Sequence, residues 1–272
     1  MCPDGNAGAG DTVGWFVHLL QGVPVWLAGL ILALVGLTVS QLSLLLVGRL
    51  FDVARRRRSN EMIGLMLSVV AVIYAVPLAL IAAEAWGDFT EARAAAAHEA
   101  GEVARAMQLA ANLAPEAAAA ARTALAGYAT AVIDQEWQEM ALRRQPVAAG
   151  RLLEAWRARL IAGPASGETA RLLQQIDQLS TARAERILAV DEGLIGAIWW
   201  LIGVGGVITL LMCAAVGTED VDLHRIACGL VSLVIMGVVL LIIATDRPFH
   251  GVPRVPPDAM REVLATDLAA PP

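Results

Sequence analysis

Residues 62–86 read MIGLMLSVVAVIYAVPLALIAAEAW, twenty-five residues whose only charge is Glu84. At 1.5 Å per residue a helix of this length crosses the roughly 30 Å of a bilayer's hydrocarbon core. Three further runs meet the same requirement: Pro24 to about Val47, Leu194 to Val216, and Ile226 to Ala244. One such run could be a buried core helix; four in one chain point to a membrane bundle. Composition agrees. The 272 residues are 57% hydrophobic and 17% charged, with mean hydropathy +0.62. Soluble domains run at about 45–50% apolar and about 25% charged. Trp15 and Phe16, ahead of the first span, suggest an interfacial segment.

The charge balance excludes some classes of function. A net charge of −6 leaves no global basic field for nucleic acid. Three cysteines (Cys2, Cys213, Cys228) cannot make a disulfide framework. All 20 basic residues are Arg. Arg residues near span ends balance at six a side; the compact run Arg55 to Arg58, with Arg49, breaks the tie towards a cytoplasmic turn, with both termini and the middle segment outside.

The middle segment, residues 84–193, has 15 acidic residues and 11 Arg, and no strand-like alternation. Ala, Glu, Arg, Leu and Gln dominate it, all good helix formers. Helices are expected over 84–113, 115–145, 150–162 and 167–193, with Pro115 in a first turn and Ser166 as a cap. The first and last are expected to continue membrane helices, because only Gly87 and Gly193 intervene. Leu172, Ile176 and Leu179 fall at helical spacing, as do Tyr128, Ile133, Trp137 and Met140, and Leu153, Trp156 and Leu160. These stripes read as bundle core. The fold class is therefore all-α: a four-span bundle with an extramembrane helical domain between spans two and three. The chain divides into an N-terminal segment (1–23), spans one and two (24–86), the helical bundle (87–193), spans three and four (194–244) and a C-terminal tail (245–272).

Catalytic signatures are absent: there is no phosphate loop, nucleotide-binding glycine pattern, nucleophile elbow or paired-cysteine motif. The expectation is a non-enzyme without cofactor or metal. His98 and Glu102 stand at i, i+4, a chelating spacing, but a solvated helix face is the better reading. The run Glu219-Asp220-Val221-Asp222 is likewise better read as a hydrated turn than as a calcium loop. In span one, Gly29, Ala33, Gly36, Ser40 and Ser43 follow three-and-four spacing, and small residues let helices approach closely in lipid. This predicts tight packing and self-association. In span two, Val70, Tyr74, Pro77, Ile81 and Glu84 lie along one stripe that a hydrophobic constriction with a polar mouth could use. Interhelical packing is the competing reading of Tyr74 and Pro77. Asp246-Arg247-Pro248-Phe249 leaves span four, and is expected to fold back and anchor at a span end through an ion pair or cap.

Several strings together resemble the bacterial DUF4239 family of bestrophin-like membrane proteins. They are Asn60-Glu61 with Gly64, Tyr74-Ala75-Val76 with Leu78-Ala79 and Trp86, and Glu99-Ala100. Further on come Tyr128, Glu136-Trp137, Leu179-Ser180 with Arg183 and Arg186, and Asp246 to Gly251 followed by Val255 and Pro257. Pro77 and Leu80 stand where Leu and Phe are expected in that family. The resemblance implies a multi-pass protein of the bacterial inner membrane, self-associating and passing small ions. Bestrophins are pentameric anion channels with span two lining a hydrophobic neck, so the implied function is a homo-oligomeric anion-conducting channel. The alternative is a non-conducting, membrane-anchored helical sensor or scaffold. A bestrophin plan also implies a cytosolic middle domain, opposite to the side read from the Arg turn.

Overall fold

The computed structural model describes residues 20, 23–142, 144–164, 166–190, 194, 196–250 and 254–269. The interfacial segment expected at Trp15 and Phe16 lies outside them, as does Gly193. The described residues are helical, without strands. In chain order the helices are α1 (Val25–Leu50), α2 (Val53–Arg58), α3 (Asn60–Ala110), α4 (Pro115–Ala131), a π-helical segment (Val132–Glu136), α5 (Trp137–Ala141), α6 (Ala148–Ala162), α7 (Gly167–Leu188), α8 (Gly196–Ala215), α9 (Val221–Thr245) and α10 (Asp258–Ala269). Two compact units result: Met1–Gly87 with Leu194–Asp246, and Asp88–Gly193 with Arg247–Pro272.

Among the described residues four helices are long and apolar enough to cross a membrane, and the first unit holds α1, α3 as far as Gly87, α8 and α9. Small residues set their spacing. A β-carbon added to Gly36 of α1 would lie 2.6 Å from the Ser232 hydroxyl of α9, and one at Gly29 would press on Leu240. Ser40 and Ser43 are buried on the same face as Gly36, while Ala33 is half-buried. At one end of the bundle the turns clasp. The Asn60 side chain donates to the Gly217 carbonyl and accepts from the Gly217 N–H, both at 2.8 Å. Arg56 donates to the Ala214 carbonyl at 3.1 Å, and Arg57 pairs with Glu219. Gly217 fits because a β-carbon there would meet the Arg56 and Arg57 backbone.

The second unit is a helical bundle around the stripes read from sequence. Leu172, Ile176, Leu179, Tyr128, Trp137, Met140, Leu153 and Trp156 are buried in its core, while Ile133 and Leu160 are only partly so. Ser166 caps α7, its hydroxyl accepting the Thr169 N–H at 3.0 Å. Three helix ends fall short of expectation, at Ala110, Ala141 and Leu188. The helix expected to reach residue 145 stops at Ala141 and passes through the π segment, where the Trp137 N–H reaches the carbonyl five residues back, at Val132. Helix α7 ends at Leu188, so it is no extension of span three. Leu194 begins afresh, its N–H taken by the Asp246 carboxylate at 2.8 Å. The tail carries α10, and its Phe249, Val255 and Met260 complete the core of the second unit. By contrast, α3 does run on unbroken past span two, as the lack of a strong breaker near Gly87 implied.

Candidate functional site

Span two presents two unlike sides. Tyr74, Leu78 and Ala85 are buried in the first unit, and Val70, Pro77 and Ile81 are half-buried beside them. Tyr74 lies flat on α8: a β-carbon at Gly205 would collide with its ring, and one at Gly206 would stand 3.3 Å from its hydroxyl. That hydroxyl donates to the Ile202 carbonyl at 3.0 Å. The stripe read as a pore face is thus, within one chain, the packing face against span three. The reason is local: two adjacent glycines make a shelf for an aromatic ring, and the phenol needs an acceptor away from water. Pro77 lies inside the helix without breaking it, although it deprives the Ile73 carbonyl of its usual donor. The opposite side, with Leu65, Val69, Val72, Ile73, Val76 and Leu80, is exposed and uncharged. Glu84 is exposed near its end.

The second unit encloses a cluster of charges that composition did not announce. Arg186 and Glu99 are fully buried and paired, and Arg186 also donates to Glu136 at 2.6 Å. Glu136 receives Arg183 at 2.6 Å and the Ala149 N–H at 3.0 Å. Arg183 donates further to the Pro146 carbonyl at 2.7 Å, and Gly150 leaves room for its guanidinium. Tyr128 donates to Glu99, and the Trp137 ring lies 5.2 Å under the Arg186 guanidinium. Two carboxylates and two guanidiniums balance, and such pairing is what burial of charge demands. Burial pushes the Tyr128 phenol well up, and the Glu99 charge adds to it. For Glu136 burial acts upward too, but the hydrogen bond from Arg183 and the charge of Arg186 outweigh it and the carboxyl is held below its usual value. Arg186 is held more firmly protonated by Glu99 and Glu136, against the effect of burial.

The π segment positions this cluster. By admitting one extra residue per turn it turns Glu136 and Trp137 both inward, where a regular helix continuing from Tyr128 would favour only one. The tail buttresses the same place. Trp137 donates to the Val255 carbonyl at 2.9 Å and meets Phe249 edge-on at 5.6 Å. The His250 Nδ1 lies 2.8 Å from the Ala141 carbonyl, which can only accept, so that nitrogen carries a proton. Asp246 caps the start at Leu194, Pro248 accepts the Val255 N–H at 2.7 Å, and Phe249 is buried.

The remaining sequence candidates are placed apart. His98 stands between Glu102 at 3.2 Å and Glu185 at 3.1 Å, each carboxylate facing a different ring nitrogen. These groups do not converge, and no group of ligands able to hold a metal ion occurs among the described residues. Asp220 caps α9 through the Leu223 N–H at 2.9 Å, while Glu219 is turned to Arg57. In the sequence Glu99, Glu136, Arg183 and Arg186 stand out only as members of the resembling strings, and Tyr128 also as part of an apolar stripe. Their spacing offered one further signal: Arg186 shares a largely apolar helix face with Leu172, Ile176, Leu179 and Ala182, broken otherwise only by Gln175 among its buried residues.

A family model described as a Bestrophin-like domain matches residues 19–260. No curated protein and no solved structure matches the chain.

Proposed function

The chain belongs to the bestrophin-like family, and from that membership we propose that it works as a homo-oligomeric, anion-conducting channel. The observation that carries the reading is the uncharged, exposed side of span two, running from Leu65 through Val69, Val72, Ile73 and Val76 to Leu80. Several copies turning this side to a shared axis form a hydrophobic constriction that gates by dewetting, with Glu84 near its mouth. Tyr74 and Pro77 then hold span two to span three and do not line the path. This assignment replaces the pore role read from their spacing, because Tyr74 is already seated on Gly205 and Gly206. No catalytic step is assigned to the chain.

Anion flux into vesicles containing the purified protein tests the proposal. Wild type is expected to conduct, and Val76→Ser with Leu80→Ser to conduct more readily by wetting the constriction. Failure to pass any of a series of anions and cations overturns the channel reading. The second reading, a non-conducting membrane-anchored scaffold, draws support from the packing of Tyr74 and from the buried, charge-balanced cluster of Glu99, Glu136, Arg183 and Arg186. A ring with a central axis seen by cryo-electron microscopy counts against it.

A further inference from the structure

A second feature of the first unit concerns lipid, and depends on membrane insertion but not on conduction. Between the end of α1, the short α2 and the first turn of α9 lies a pocket of about 220 Å³. Its wall carries Arg56, Arg225 and Thr218, and no carboxylate lines it. Of the acids nearby, Glu219 pairs with Arg57 and Asp220 caps the Leu223 N–H, while Asp52 is exposed beside Val53 and outside the lining. Asp222 is 3.8 Å from Arg225, beyond hydrogen-bond reach, so the Arg225 guanidinium keeps its donors for another acceptor. Arg56 spends one nitrogen on the Ala214 carbonyl, and its Nε is buried without a hydrogen-bond partner among the described residues. A buried donor in that condition favours an acceptor from outside.

The α1 side of the pocket is mainly apolar, with Gln41 its one polar side chain. Leu44 and Leu45 line the pocket, and Leu45 continues with Leu42 and Leu46 as an exposed strip along α1. A pocket with guanidiniums on one side and an apolar exit along a membrane helix matches an amphiphile better than a free anion. We propose that it binds the phosphate of an anionic phospholipid, its headgroup between Arg56 and Arg225 and its acyl chain along Leu42, Leu45 and Leu46. The volume suits a headgroup and leaves the chains outside. Basic pockets between membrane helices are a known means of recognising such lipids.

The experiment uses the full chain in nanodiscs of phosphatidylcholine alone, or of equal parts phosphatidylcholine and phosphatidylglycerol. Phosphatidylglycerol is expected to raise the thermal unfolding temperature of the wild type. Arg225→Gln removes most of that shift and lowers lipid retention in native mass spectrometry about fivefold, the effect of one arginine at the surface. Arg225 is exposed and its ion pair with Asp222 is long, so R225Q should unfold like the wild type in pure phosphatidylcholine. Arg58→Gln, in the same turn but outside the pocket, should keep the shift. The proposal is overturned if R58Q loses as much as R225Q, which marks diffuse surface attraction. It is equally overturned if inorganic phosphate, added to phosphatidylcholine discs, reproduces the shift, which marks a site for a free anion.

Discussion

Removing the Arg186 guanidinium strands the Glu99 and Glu136 carboxylates in a place closed to water. Breaking a buried pair from one side costs about 3–5 kcal/mol, whereas replacing all partners by apolar groups is often neutral. Arg186→Met should therefore destabilise the second unit by about that amount, and adding Glu99→Gln with Glu136→Gln should restore much of it. Denaturant unfolding followed by Trp137 fluorescence measures both. The same cluster fixes a pH window. The Glu136 carboxyl is lowered on folding, so its stabilisation is complete above about pH 4.3, the ordinary glutamate value, and is lost as pH falls from there. Tyr128 is raised, so its contribution is complete below about pH 10 and is lost as pH climbs. Unfolding should be easiest outside these limits, and Glu136→Gln should flatten the acid limb. An acid limb unchanged by that substitution would show that other carboxylates govern it.

Between elements, the Tyr74 ring and the Gly205–Gly206 shelf form a joint that tolerates little. Gly205→Val places carbon where the ring lies, and overpacking of this kind costs about 1–3 kcal/mol. Tyr74→Phe keeps the ring and loses only the bond to Ile202, worth about 0.6 kcal/mol for hydrogen bonds within membranes. Thermal unfolding in detergent should rank Gly205→Val well below Tyr74→Phe. The π segment is the other sensitive element. Deleting one residue of Val132–Glu136 would take out the extra residue and leave a regular helix, in which Glu136 and Trp137 no longer both face inward. The expected result is more local helicity together with loss of the Glu136 pairs, seen as a less cooperative transition.

At the scale of the molecule, the spans were legible because length and hydropathy decide them without reference to partners. So were the stripes at Leu172, Ile176 and Leu179, where an apolar face interrupts a charged sequence. The charge cluster was not legible. Glu and Arg on an Ala-rich helix look the same whether they face water or each other, and only tertiary placement brings Glu99, Glu136 and Arg186 together. The choice between packing and pore lining at Tyr74 was open for a related reason: its period fixes a face, but the neighbour that meets it, Gly205, lies far along the chain. The two units are each assembled from separated stretches, and the last to arrive is the tail whose Phe249, Val255 and Met260 enter the core. A chain stopped after Arg247 should keep four apolar spans yet leave its helical unit open to protease, which limited proteolysis would reveal. During synthesis the same order applies. All four spans leave the ribosome before Phe249, Val255 and Met260 can enter the core of the second unit.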